Sequence, residues 1–455
     1  MHQLRSTTAA RQPQVLILVT WLPLALMFAM MGIEQPALAA VIARMAESTG
    51  NLAAFGVAFS IALVIESPVL QLLSAATALA TTRRKYERLL EFVHVLALGL
   101  TLVHLVVATR PVFFFVTRDV LNVPVEIIEN ARATFLVLTP ISALVAYRRV
   151  WQGVLIRYER TVLIPITVVS RLIVTGSVLI LGFMTGFASG AVVAASALMS
   201  GILAGSVSAF VLARPVIAHR ITSPDDDVKT SWKALLSFFV PLSMTSIVYL
   251  AAQPLLTFGM ARSLFPLESL AVWPVLNGLL FVFNSFALSY QEVVVALIGN
   301  ARASEAELKK FTAVLGIVLS FGLALFAVTG LRGLWFSGVA GLQPDLLPFV
   351  PVPLLILIAA PALVCAKSWF RGAYVARHRT GILAKAVIIH SLILLALTWF
   401  VPLVVQIPGT TVAAGSLVIA LAAECLYLWV GPKFTAPAGR RRSSANPMRS
   451  VRTGA

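Results

Sequence analysis

This chain is one unit written twice. Trp21-Leu22-Pro23-Leu24 returns as Phe239-Val240-Pro241-Leu242, and Gln35-Pro36 as Gln253-Pro254, both at an offset of 218 residues. Arg44 pairs in the same register with Arg262, Leu52-Ala53 with Leu270-Ala271, Ser67 with Ser285 and Ala78-Leu79 with Ala296-Leu297. No gap is needed over roughly sixty residues, so the repeating unit is half the protein. A later stretch repeats at an offset of 219, where Arg148, Gly153 and Arg160-Thr161 match Lys367, Gly372 and Arg379-Thr380.

The unit is apolar. Of 455 residues 59% are hydrophobic and 12% charged, against about 25% charged in soluble domains. Apolar runs near 20 residues recur from Val15 to Val430, each long enough to cross a bilayer. The fold class is therefore all-α, a polytopic membrane protein. Twelve helices are expected at 14–43, 52–81, 88–109, 132–155, 160–184, 188–213, 232–261, 268–298, 310–331, 348–374, 380–405 and 409–430. The domains follow: a cytoplasmic N-terminus (1–13), a first lobe (14–213), a linker (214–231), a second lobe (232–430) and a basic tail (431–455). No polar segment is long enough for a soluble domain.

Charge sets the orientation. Arg83, Arg84, Lys85 and Arg88 follow helix 2, Arg157 and Arg160 follow helix 4, and Arg371, Arg377 and Arg379 follow helix 10. The linker adds Arg214, Arg220 and Lys229, and the tail Lys433, Arg440, Arg441, Arg442, Arg449 and Arg452. The opposite side carries only Arg44, Arg110, Arg118, Arg132, Arg262 and Arg332. Basic loops stay inside, so both termini are expected in the cytoplasm of a multi-pass protein of the inner (plasma) membrane. Six helices per unit give the two lobes the same orientation, as in parallel transporter repeats. The net charge of +17 then reflects topology and anionic lipid headgroups rather than nucleic acid. Pro36-Ala37-Leu38-Ala39-Ala40 imitates a signal-peptidase site. The apolar run before it exceeds the usual ~7–15 residues, and Gln-Pro recurs internally.

Ionisable groups inside a bilayer are costly and mark function. Glu34 lies ten residues inward from Arg44, about 15 Å deep, and Glu66 fourteen inward from Leu52, about 21 Å. Arg171 lies about 16 Å inside helix 5. Glu34 and Glu66 are the ion-coupling candidates, with H+ or Na+ as coupling ion and no cofactor. Arg171 is a counter-ion to an acid or an anion ligand. The repeat counterparts of the two acids, Ala252 and Asn284, are uncharged, so charge is expected in the first lobe alone. Pro36 and Pro254 are expected to kink the first helix of each lobe and serve as gates. Gln35, Gln253, Asn277 and Asn284 are the other cleft candidates. Arg148, Lys367, Lys385, Glu292 and Glu424 read as snorkelling groups near cytoplasmic ends. His94, His104 and His390 stand alone; His390 reads as a packing histidine, with a proton site as the alternative. No metal spacing is present, and Cys365 and Cys425 read as buried apolar residues.

Several segments resemble the MOP exporter superfamily of MATE exporters and oligosaccharide flippases, and most closely the progressive ankylosis (Ank) transporter family. They are Pro23-Leu24 with Gly32-Ile33-Glu34-Gln35, then Ala54-Phe55-Gly56-Val57-Ala58-Phe59-Ser60, and Leu236-Ser237-Phe238-Phe239-Val240-Pro241-Leu242 followed by Arg262. The resemblance implies a V of two six-helix bundles with helices 1, 2, 7 and 8 around a cleft, and export of small anionic metabolites such as pyrophosphate, citrate or nucleotides. The chain departs from the Ank pattern in ending on a basic tail. The expected protein is not an enzyme, since no cluster of His, Asp and Glu sits at a membrane face. It is a monomeric secondary exporter or antiporter, surrounded by membrane lipid, for a small-molecule or lipid-linked substrate. The alternatives are a lipid-linked glycan flippase, which would require several cleft cations where Arg171 alone is expected, and an envelope-assembly scaffold.

Overall fold

The computed structural model describes residues 13–158, 160–221, 232–299, 304–377, 379 and 381–431. The Asp225–Asp227 stretch, Lys229 and the tail with Arg440–Arg442 lie outside the described residues.

Twelve helical segments run in the expected order. In the first lobe, helix 1 is Pro13–Gly32 with Glu34–Ile42, helix 2 is Ser48–Glu66 continued through Ser67–Gln71 and Leu72–Leu79, and helix 3 is Arg83–Ala108. Helix 4 is Val125–Val137 with Ile141–Arg157, helix 5 is Ile164–Thr185 and helix 6 is Gly190–Arg220. In the second lobe, helix 7 is Trp232–Leu250 with Ala252–Ala261, helix 8 is Pro266–Gly299 and helix 9 is Glu305–Val328. Helix 10 is Pro351–Leu357 with Ala360–Ala376, helix 11 is Gly381–Val404 and helix 12 is Gly409–Val430. Eleven are long and apolar enough to cross a membrane, and helix 7 is interrupted at Ala251. Two ends differ from expectation. Helix 4 begins at Val125 rather than at 132, and helix 6 runs to Arg220 rather than stopping at 213.

Both Gln-Pro positions break their helices as the chemistry requires. Proline cannot donate to the carbonyl four residues back, and its ring crowds that carbonyl, at a cost of about 3 kcal/mol in an unbroken helix. The carbonyl four before Pro36 belongs to Gly32, where the first half of helix 1 ends. The one four before Pro254 belongs to Leu250, where the first half of helix 7 ends.

Within each lobe, helices meet through small residues, as expected where lipid offers no hydrophobic drive to associate. A Cβ on Gly153 of helix 4 would stand 2.6 Å from Ala76 Cβ and 2.8 Å from the Leu73 carbonyl oxygen of helix 2. Its repeat partner Gly372 of helix 10 meets Val294 at 2.7 Å and the Gln291 carbonyl oxygen at 2.9 Å on helix 8. Helices 2 and 8 are the most central, with 72% and 61% of their most apolar stretch buried, against 22% for helices 3 and 5. The outer helices turn residues such as Leu98, Ile173 and Phe321 outward, where hydrocarbon is the compatible solvent.

The lobes touch along helices 1, 2, 7 and 8. Trp21 donates its indole N–H to the Phe286 carbonyl at 3.1 Å, and Gln14 donates to the Glu307 carbonyl at 3.0 Å. At the opposite end Asn122 donates to the Ala261 carbonyl at 3.4 Å, and Arg44 reaches the Gly338 carbonyl. Between these two sets of contacts lies a cavity of about 410 Å³.

Candidate functional site

The cavity has one charged wall from each lobe. Helix 1 resumes at Glu34, immediately after its break, and this places the carboxylate at the cavity with 5% of the residue exposed. Arg171 of helix 5 grips it with two bonds, Nε to Oε1 at 2.9 Å and Nη2 to Oε2. Thr175, one turn further, donates to Oε1 at 3.1 Å. Such a two-pronged charge-assisted pair is among the strongest polar contacts available to side chains. Arg171 is thus the counter-ion of Glu34, and both line the cavity.

Arg148 is the less expected member of this wall. It lines the cavity, is 7% exposed, and its Nε has no hydrogen-bond partner among the described residues. It feels the charges of Glu66, Glu34, Arg149 and Arg171, yet forms no ion pair within 4 Å among the described residues. Glu66 lies behind it rather than on the cavity surface. It ends the α-helical part of helix 2, just before the Pro68 turn.

The second wall corrects the expectation of an uncharged second lobe. Lys367 and Glu424 are not snorkelling groups: they are 3% and 1% exposed. Lys367 Nζ stands 3.7 Å from Glu424 Oε2, Arg371 Nη1 3.8 Å from Oε1 and His390 Nδ1 3.2 Å from Oε2. Neither Glu424 oxygen receives a hydrogen bond of good geometry among the described residues. The Tyr249 ring lies 5.2 Å below Lys367 Nζ and 5.9 Å from the Arg371 guanidinium, within cation–π range. Lys367 and His390 line the cavity, whereas Glu424 does not. His390 is therefore not isolated. Lys385 and Glu292 are exposed and keep their expected surface placement.

The reason for the misplacement is rotational. Arg148 sits nine residues before the end of helix 4, and Lys367 nine before the end of helix 10, about 14 Å along each axis. Each faces inward, and these helices are apolar nearly all round, so no polar stripe announces the inner face. A usable signal was present. Arg171 and His390 stand 219 residues apart, as do Arg148 and Lys367. Following the offset from one pair to the next picks out the cationic positions of both walls.

The other cleft candidates assemble as expected. Gln35, Gln253, Asn277 and Asn284 all line the cavity, with Asn284 Oδ1 buried and unpartnered among the described residues. Phe55, Trp273 and Phe281 supply apolar surface. Cys365 and Cys425 are buried free thiols. No group of three metal-ligating side chains occurs among the described residues. The walls hold Arg148, Arg149 and Arg171 against Glu34 and Glu66, and Lys367 and Arg371 against Glu424. Each wall has one permanent cation more than its ionised acids.

Two parallel six-helix lobes around such a cavity give the chain the fold of the MOP transporter superfamily. The lipid II flippase MurJ, in an inward closed conformation, superposes with a TM-score of 0.67 at 16% identity, over 91% of this chain and 86% of that one. An inward-facing multidrug resistance MATE transporter of the MOP superfamily gives 0.60 at 14% identity, over 92% and 97%. The Vibrio cholerae MATE transporter VcmN in its bent form gives 0.57 at 13% identity, over 92% and 98%. No protein-family model and no curated protein matches the chain. At these identities the likeness is one of fold.

Proposed function

We propose that this protein is a secondary transporter that moves a small anionic solute across the membrane by alternating access between its lobes. The observation that carries the reading is Arg148, a buried guanidinium without an ion-pair partner among the described residues, facing the interlobe cavity. A buried charge is tolerated only when compensated, and a cargo anion between Arg148 and Lys367 would compensate the excess cation of each wall. The fold of MATE transporters and the MurJ flippase supports transport as the activity. Both termini are placed in the cytoplasm of an inner membrane, on the charge pattern of the loops.

Glu34 and Glu66 are the coupling candidates of the first lobe. Glu34 begins the outer half of helix 1, so release from Arg171 would free that segment at the Pro36 kink. The test is flux into proteoliposomes of labelled citrate, pyrophosphate and a cationic dye. Arg148→Gln and Lys367→Gln should each abolish anion flux. Dye transport that is unaffected by either change would overturn the anionic reading. Unchanged gradient-driven flux in Glu34→Gln and Glu66→Gln would remove the two acids from the coupling step.

A lipid-linked diphosphate is the second reading. It is favoured by the MurJ likeness and by the presence of Arg148 and Lys367 beside Arg171, since such a headgroup calls for several cations. The cavity of about 410 Å³ favours the smaller solute. Translocation of a fluorescent prenyl diphosphate between leaflets, with no citrate or pyrophosphate flux, would reverse that order.

A further inference from the structure

We infer that the second-lobe wall is a joint binding site for a proton and an anion, with His390 taking the proton and Lys367 receiving the anion. The inference rests on the anionic reading of the cavity and adds the coupling chemistry of this wall.

Glu424 is the pivot. It is buried behind the cavity surface and approached by groups from two other helices, Lys367 and Arg371 of helix 10 and His390 of helix 11. Tyr249 of helix 7 faces Lys367 and Arg371, and Cys425 lies beside Glu424 with its thiol donating to the Leu363 carbonyl. No other ionisable group is shown against this cluster among the described residues. The three contacts to Glu424 are loose, between 3.2 and 3.8 Å, and its oxygens have no hydrogen bond to complete them.

His390 is the only one of the four grouped side chains that changes charge within the ordinary physiological range. It also lines the cavity, so a proton entering there meets His390 before it meets Glu424. With His390 neutral, Lys367 is the cavity-side counter-ion of Glu424, and the surplus cation is Arg371, which is more exposed. With His390 protonated, imidazolium and carboxylate pair at the existing 3.2 Å approach. Lys367 then presents an uncompensated charge to the cavity, and an anion binds there more tightly. The coupling is reciprocal: the anion raises proton affinity by the factor by which the proton raises anion affinity.

The first lobe supplies an internal reference. The position equivalent to His390 is Arg171, a permanent cation held by Glu34. One structural position is thus fixed in charge in the first wall and titratable in the second.

The experiment is calorimetric binding of sulfate and of ethanedisulfonate, whose charges do not change over the range, to the purified full-length protein in nanodiscs. Titrations run between about pH 8 and about pH 5, where histidine changes charge, in buffers of differing ionisation enthalpy. Wild type should take up a proton as the anion binds, with affinity rising toward the limit of about tenfold per pH unit for one linked proton. His390→Gln should bind weakly at all pH values and His390→Arg tightly at all, both without proton uptake. Glu424→Gln should also bind tightly with no pH dependence, because Lys367 is freed permanently. A pH-independent wild-type affinity, or a pH dependence that persists in both His390 variants, overturns the joint site and leaves anion transport standing. No binding of either anion at any pH overturns both.

Discussion

The two lobes keep their cations in equivalent places and their acids in different ones. Arg148 matches Lys367 and Arg171 matches His390. In the first lobe the cavity acid comes from helix 1, as Glu34. In the second it comes from helix 12, as Glu424, whose equivalent on helix 6 is Gly205. A side chain at Gly205 would stand 3.4 Å from Arg171 Cβ and 3.2 Å from the Thr167 carbonyl oxygen, so the first lobe has little room for an acid there. The difference matters because helix 1 is broken beside its acid and helix 12 is continuous. Losing the ion pair in the first lobe loosens a segment of backbone. Losing the carboxylate's charge in the second changes the field of the wall and leaves its scaffold in place.

The comparison can be broken by unequal stability losses. The largest is expected for Arg171→Ala, which strands Glu34 in a buried site and should cost about 3–5 kcal/mol in detergent unfolding. Lys367→Ala should cost less, about 1–3 kcal/mol, because Glu424 keeps His390 and Arg371. Equal losses would mean that the two walls are held alike. Gly153→Ala and Gly372→Ala probe what the lobes share, and each should cost about 1–3 kcal/mol through overpacking. A loss confined to one would show that the helix 4–helix 2 contact and its helix 10–helix 8 copy are not equivalent in energy. Helix 9 of the second lobe starts with a full capping box, Ser304 with Glu307, so Ser304→Ala should lower stability by about 1 kcal/mol. The smallest effect is expected at the start of helix 3, where Arg88 and Glu91 form an exposed pair. Arg88→Ala should change stability by about 0.2–0.5 kcal/mol, and less in high salt.

The architecture was legible because it rests on strong local signals. Runs of apolar residues give helices, the 218-residue register gives two lobes, and proline breaks a helix wherever it stands in the interior. The Glu34–Arg171 pair was legible in part, since depth could be counted along each helix. Partner choice could not, because helices 1 and 5 meet only once the lobe is packed. The second wall was missed for a different reason. Lys367 and Glu424 are close enough to helix ends to pass for snorkelling groups, and only rotation about the helix axis decides between lipid and interior. His390 looked solitary because its partners lie on helices 10 and 12, more than twenty residues away in either direction.

Gly153 and Gly372 also decide how the molecule would come apart. Each ties the fourth helix of its lobe to the second at near-backbone distance, so segments remote in sequence must let go together. A tip drawing the chain out of a bilayer by one end should therefore feel two large yielding events, one per six-helix block, rather than a succession of single hairpins. Mechanically the protein is two solid pieces with a seam, and the seam lies where the charged walls face each other.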